Sequence, residues 1–453
     1  MFRTVELPLW LLILILAFAA VTALSHFLLP SVRWFFRRRM ERVVAKLNTR
    51  LQRPIEPFKL LRRQDTIQRL IYDPKLAEAV AEHAAETGVR EDVAFQEAHR
   101  YAREIVPSFS ATAYFGFATR AAKLISRAFY RVRLGHFDEE AVRAISSDAT
   151  VVFVINHRSN MDYVLVTYLA GETSALSYAV GEWAHVWPLS RLIRAMGAYF
   201  IRRKSRNVLY RRVLARYVQM ATKAGVAQAV FPEGGLSLSG KVGDPKLGLL
   251  NYIVSDFEIG EGRDVVFVPV ALNYDRVLED RVLLAAAASS KRKFRLRWRD
   301  AVRYFLKHLY QRLSGRFLRF GYAAVSFGAP LSLAQFSVGK TGDKTKQIGK
   351  ELIGRIRAIV PVLPVPLVAT CLLNSGGIMK RDELKAAVRD KIQVLINAGV
   401  PVPIMEHEAD QEIDVAVNHL LMRQIIRETP SGIAVNAEEM ALLEYYEASI
   451  LHL

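Results

Sequence analysis

Val151-Val152-Phe153-Val154-Ile155-Asn156-His157-Arg158-Ser159-Asn160-Met161-Asp162-Tyr163 sets the terms for the rest of the chain. The first five residues are apolar and mostly β-branched, which predicts a buried strand. The run ends abruptly in a polar turn, and Val164 to Gly171 then reads as a helix. A histidine at the end of a buried strand, with an aspartate five residues later, suits general-base chemistry. The imidazole takes up a proton near neutral pH, while the carboxylate fixes its tautomer and stabilises the imidazolium. The plainer reading is a strand-to-helix turn with a capping Ser or Asn and an incidental His.

Around this stretch lie 453 residues, enough for two or three domains with ample core. A hydrophobic content of 51% excludes a disordered chain. Lys and Arg number 63 against 44 Asp and Glu, a net charge of +19 that points to a polyanionic partner. Nucleic acid, anionic lipid headgroups and phosphorylated substrates all meet that description. The single Cys371 lies in an apolar run and reads as a core thiol. It permits neither an intrachain disulfide nor a cysteine zinc site.

Leu7–Leu29 carries no charged residue, a length that predicts a transmembrane helix across a ~30 Å hydrocarbon core. Arg33, Arg37, Arg38, Arg39 and Arg42 follow it directly, so the positive-inside rule puts the remainder of the chain in the cytoplasm. The expectation is a cell-membrane protein with one N-terminal span and a cytoplasmic catalytic domain.

Four regions follow from the pattern: an anchor with its basic flank (1–42), a helical region (43–129), an α/β domain (130–335) and a helical C-terminal region (336–453). In the α/β part, strands are predicted at Thr150–Asn156, Leu176–Val180, Ala198–Ile201, Ala227–Phe231, Val265–Leu272 and Ala323–Phe327. Helices alternate with them, which predicts a mixed sheet flanked by helices, with functional loops at strand ends. Lys291–Arg319 interleaves eleven cations with aromatic residues. It suits an anionic membrane surface, and a solvated face or a nucleic-acid contact is the alternative.

Three further blocks end in polar loops. Gly197–Ile201 empties into Arg202, Arg203 and Lys204; guanidinium forks at a fixed strand end suit phosphate, and a basic solvent-facing loop is the plainer reading. Phe231–Lys241 (FPEGGLSLSGK) has paired glycines, Gly234 and Gly235, that let backbone N–H groups approach an anion. It is not a Walker A loop, and an ordinary glycine turn would look the same. Val268–Asp275 reads as a buried strand whose Pro269 implies an edge, a bulge or an unpaired wall. The remaining histidines show no metal-ligand spacing.

Taken in order, these blocks resemble the membrane-bound glycerol-3-phosphate acyltransferases of the glycerolipid acyltransferase superfamily, marked by His-x-x-x-x-Asp. The residues that carry it are His157-Arg158-Ser159 with Met161-Asp162-Tyr163, then Gly197–Arg203, Phe231–Lys241 and Val268–Tyr274. The likeness runs on through Val325–Leu333 and Val362–Ala369. It implies an acyl acceptor, glycerol 3-phosphate, and a donor that is acyl-CoA or acyl carrier protein, with no further cofactor and no metal. His157 would be the base that deprotonates the sn-1 hydroxyl, and Asp162 its support. Arg158, Arg202, Arg203, Glu233, Gly234, Gly235, Ser237 and Lys241 would bind substrate, and anionic membrane lipids would be partners; nucleic acid would not. The family's Arg-Ser-Arg after the paired glycines is Leu236-Ser237-Leu238 in this chain. That leaves Arg202, Arg203 and Lys241 to carry the anion. Dihydroxyacetone phosphate or a lysophospholipid is the alternative acceptor, and a non-catalytic anionic-lipid-binding scaffold the alternative outside enzymology.

Overall fold

The computed structural model describes residues 8–171, 174–181, 189–202, 205–288 and 320–453. The chain divides into two compact units, Met1–Ile55 and Glu56–Leu453. The first consists mainly of one 40-residue helix, Leu9–Asn48. The transmembrane span expected over Leu7–Leu29 is not found: among the described residues no helix is long and apolar enough to cross a membrane. The apolar run is not a separate element. It continues within the same helix through Pro30 into the arginines at 33, 37, 38, 39 and 42, side chains that are costly to place in hydrocarbon.

The second unit is built on a mixed sheet. Its strands are β1 (Arg131–Phe137), β2 (Thr150–Ile155), β3 (Ser177–Gly181), β4 (Tyr199–Ile201), β5 (Gln228–Val230), β6 (Val265–Tyr274), β7 (Tyr322–Phe327) and β8 (Leu331–Ser332). They lie in the order β1-β7-β6-β2-β5-β3-β4, with β8 pairing β6. From β6 to β4 every pairing is parallel, and β7 runs antiparallel to β6. Five strands therefore point their C-terminal ends the same way.

The sequence dictates this centre because β2 and β6 are apolar on both faces, as a parallel sheet covered on two sides requires. Alternate residues of β2 feed different cores. Val151, Phe153 and Ile155 face the core closed by the C-terminal helices Pro364–Asn374, Arg381–Asn397, Ala409–Met422 and Met440–Glu447. Val152 and Val154 face the core that contains helices Arg63–Ile71, Pro74–Thr87, Glu91–Ile105 and Val208–Lys223. Each such buried aliphatic side chain contributes about 1.5–3 kcal/mol. The C-terminal helices thus share one layer of the sandwich with helices Thr119–Phe129 and Met161–Ala170.

Two local expectations change. Pro269 lies at neither an edge nor an unpaired wall: it pairs with Val154 inside β6, at the interval between the β8 partners of Val266 and Phe267 and the β7 partners of Val270 onward. A residue without an N–H fits where the ladder changes strands. The C-terminal region is not all helical. β10 (Ile426–Thr429) and β11 (Gly432–Val435) form a hairpin that also pairs β9 (Ile378–Met379). Thr429-Pro430-Ser431-Gly432 is the turn signal for it. The basic segment Lys291–Arg319 lies outside the described residues.

Candidate active site

His157 follows β2 at the C-terminal edge of the parallel strands, where α/β sheets place their sites. What makes the chain leave the sheet there is Asn156. Its N–H still reaches Val270 O (3.4 Å), and its side-chain amide carries the ladder to β6 one step further, donating to Leu272 O (3.0 Å) and accepting from Leu272 N (2.7 Å).

The imidazole is buried, and Nδ1 lies 2.8 Å from Asp162 Oδ2. Asp162 sits in the first turn of helix Met161–Ala170. The same Oδ2 accepts the N–H groups of Arg158 (2.7 Å) and Ser159 (3.1 Å), and Oδ1 accepts the phenol of Tyr274 (2.7 Å). A carboxylate with so many donors is fixed in place. Tyr274, the last residue of β6, has its phenol pKa pushed well up by burial and by the adjacent Asp162, so it stays a donor. With Nδ1 on Asp162, Nε2 is the nitrogen left for a reacting proton; it has no hydrogen-bond partner among the described residues. Phe231 and Tyr163 flank the ring at centroid distances of 4.3 and 5.4 Å.

A second carboxylate holds the turn from the other side. Glu279 accepts from Ser159 Oγ (2.7 Å) and from Asn160 Nδ2 (3.0 Å), and burial raises its pKa. Ser159 is thereby a turn residue.

The loop after β5 is tied to the same histidine. Glu233 Oε1 accepts the His157 N–H (2.9 Å), Glu233 Oε2 accepts the Gly243 N–H (2.9 Å), and Ser237 N–H donates to His157 O (2.8 Å). Burial raises the Glu233 pKa, and those two N–H groups work against that rise. Glu233 and Ser237 are therefore straps between backbones; Ser237 Oγ also closes its own loop on Lys241 O (2.7 Å). Gly234 adopts φ +64°, and a Cβ there would come within 2.9 Å of Lys246 Cδ. Lys246, unnoticed in the sequence, thus lies against the glycine pair. The Gly234 N–H is spent on Phe231 O (3.1 Å), whereas that of Gly235 has no partner among the described residues. Lys241 is exposed.

The expected cations part ways. Arg158 is 2% exposed; its Nη1 donates to Gly240 O and its guanidinium lies over the Tyr445 ring, while Nε and Nη2 have no partner among the described residues. Arg202 is turned elsewhere. Its Nε and Nη2 grip Glu104 as a fork (2.8 and 2.5 Å), beside the rings of Tyr101 and Tyr210, and that pairing raises its pKa. Arg203 lies outside the described residues. Among the described residues no group of His, Cys, Asp or Glu is arranged to hold a metal ion.

The carboxylate-held histidine, at the end of a central parallel strand and facing a glycine loop, lies within residues 136–273, which match the Acyltransferase family. Residues 308–453 match the glycerol-3-phosphate acyltransferase C-terminal region. In these matches the chain is similar to the glycerol-3-phosphate acyltransferases of the glycerolipid acyltransferase superfamily. Over 420 residues it is 27% identical to a glycerol-3-phosphate acyltransferase of Ectopseudomonas mendocina, covering 86% of this chain and 49% of that protein. The corresponding protein of Pseudomonas savastanoi pv. phaseolicola is 25% identical, with 86% and 48% covered. The chain therefore spans about half the length of these curated relatives. Among solved structures, the 1-acyl-sn-glycerophosphate acyltransferase of Thermotoga maritima aligns at a TM-score of 0.33 and 20% identity, over 54% of this chain and 76% of that one.

Proposed function

We propose that the protein transfers a fatty acyl group from an acyl thioester, acyl-CoA or acyl carrier protein, to the sn-1 hydroxyl of glycerol 3-phosphate, giving lysophosphatidate. The observation that carries this reading is the His157–Asp162 pair, with Nδ1 held at 2.8 Å and Nε2 without a partner among the described residues. Nε2 takes the hydroxyl proton as the acceptor oxygen forms its bond to the thioester carbonyl. The tetrahedral intermediate then expels the thiolate, which recovers the proton from the imidazolium. Asp162 stabilises that cation, and no acyl-enzyme is needed, since the acceptor oxygen is itself the nucleophile. The Gly235 N–H is the available backbone donor for the oxyanion. Arg158 offers its two unpartnered nitrogens to the acceptor phosphate.

The chemistry belongs at a membrane surface, where a soluble acceptor meets a greasy donor. Supporting this, Leu9, Trp10, Ile13, Leu14 and Phe18 are exposed along the N-terminal helix, and the net +19 charge favours anionic lipids. One observation favours a different acceptor within the same chemistry. Leu236 and Leu238 pack against the apolar core and bring no charge to the glycine loop, which suits dihydroxyacetone phosphate or a lysophospholipid.

The test is acyl transfer from a long-chain acyl-CoA to radiolabelled glycerol 3-phosphate, dihydroxyacetone phosphate and lysophosphatidate, beside His157→Ala. Labelled lysophosphatidate formed by the wild type and lost in the variant is the expected result. Equal rates in both would refute the base assignment, and preference for another acceptor would move the substrate.

A further inference from the structure

Arg158 is an unusual group to find in a protein interior. A guanidinium with five donors is buried almost completely, yet among the described residues only Nη1 has an acceptor, the carbonyl of Gly240. Two buried donors on a permanent cation carry a large desolvation cost unless something completes them. The side of the guanidinium that does have company is supplied by the far end of the chain. Tyr445, in helix Met440–Glu447, places its ring centroid 5.3 Å from Arg158 Cζ, within cation–π range. Its phenol oxygen lies 3.5 Å from Ser237 O. Gly240 is pressed so closely on the same helix turn that a Cβ would come within 2.0 Å of Tyr445 O. Burial pushes the Tyr445 phenol up to about 12, so it is a neutral ring and no rival for an anion.

The helix that carries Tyr445 is bolted to the end of β6. The neighbouring Tyr446 hydroxyl bonds Asp280 and accepts from Arg423 Nη1 (2.9 Å) and Val277 N (3.2 Å). Arg423 Nη2 reaches Asp280 at 2.6 Å. Asn273, one residue before the Tyr274 that holds Asp162, reaches Ser449 Oγ at 3.3 Å. The ring behind Arg158 and the carboxylate behind His157 are thus mounted on one scaffold.

We infer that the C-terminal helix builds part of the acceptor-anion site, with Tyr445 the positioning residue that holds the buried Arg158 guanidinium so that Nε and Nη2 face a phosphate. The identity of that phosphate as glycerol 3-phosphate rests on the proposed function; the anion site itself does not. Tyr445 touches no substrate. It acts through Arg158, so it governs acceptor affinity and leaves donor binding alone.

The experiment compares Tyr445→Leu and the longer, unbranched Tyr445→Met with Tyr445→Phe in the full chain, titrating inorganic phosphate and glycerol 3-phosphate and measuring both Michaelis constants. Loss of the ring should weaken both anions, and raise the acceptor KM, about tenfold, with donor KM and kcat within about twofold. The Phe variant, which keeps the ring, should recover to within about threefold. Melting curves establish that each variant is folded, and Tyr445→Met serves if Tyr445→Leu is not. Unchanged anion affinity without the ring, equal rises in both KM values, or failure of Phe to rescue would overturn the inference. So would a wild type that binds neither anion. A wild type that binds phosphate through the ring but transfers no acyl group to any acceptor would instead overturn the proposed function.

Discussion

Two strand ends at the same edge of the sheet have nearly the same grammar and opposite fates. β2 runs into Asn156-His157-Arg158, and β4 runs into Arg202 and the cations after it. After β2 every polar side chain is turned inward: Asn156 to Leu272, His157 to Asp162, Arg158 to Gly240 and Tyr445. After β4 the fork of Arg202 is closed on Glu104, a residue of the helical layer. A strand end guarantees a fixed backbone position, not a free side chain. A carboxylate elsewhere in the chain has claimed one of the two cations and left the other.

The sharpest way to break this contrast is at His157. Alanine there removes the only imidazole held by Asp162 among the described residues, and acyl transfer should fall ~10²–10⁴-fold at saturating substrates, while the fold remains. A fall of less than tenfold would remove β2 from the chemistry altogether. Next in size is Arg158→Lys, which keeps the charge but loses the fork. With charge-assisted bonds contributing ~1.5–3 kcal/mol each, the acceptor KM should rise roughly 10- to 100-fold. Initial-rate kinetics with donor held saturating would report it, and an unchanged KM would mean the acceptor phosphate sits elsewhere.

Tyr274→Phe probes the support rather than the actors. It leaves Asp162 Oδ1 without its 2.7 Å donor, and a lost bond to a buried carboxylate costs ~1–3 kcal/mol. The expected result is a drop in kcat of roughly fivefold to tenfold with both KM values near wild type. A selective rise in acceptor KM instead would assign Tyr274 to substrate.

Much of this was legible from local pattern. Strands rich in β-branched residues declared themselves, and His157 with Asp162 lie five residues apart on one turn. The partners that decide function were not, because they come from far along the chain. Tyr274 reaches Asp162 across 112 residues, Glu279 reaches Ser159 across 120, and Glu104 reaches Arg202 across 98. No periodicity signals such a pairing, and a lone Glu on an amphipathic helix looks like any solvated residue. The same limit explains Glu233, whose oxygens serve two backbone N–H groups that only the folded loop brings together. The apolar N-terminal run failed for a different reason. Composition over Leu7–Leu29 says nothing about where a helix stops, and this one extends through the arginines to Asn48.

The smallest expected effect tests the outward-facing strand end directly. Arg202 and Glu104 form a fork with side-chain exposures of 39% and 18%, so solvent screens the pair. Arg202→Gln should lower stability by about 1 kcal/mol or less and shift the acceptor KM less than about threefold, far below Arg158→Lys. Glu104→Gln is the informative partner. It frees the guanidinium without removing it, so if the ion pair is what withholds Arg202 from the substrate, this variant should lower the acceptor KM or leave it unchanged. Were Arg202 instead bound to the acceptor phosphate during turnover, Arg202→Gln would raise KM as steeply as Arg158→Lys, and the two strand ends would be equals after all.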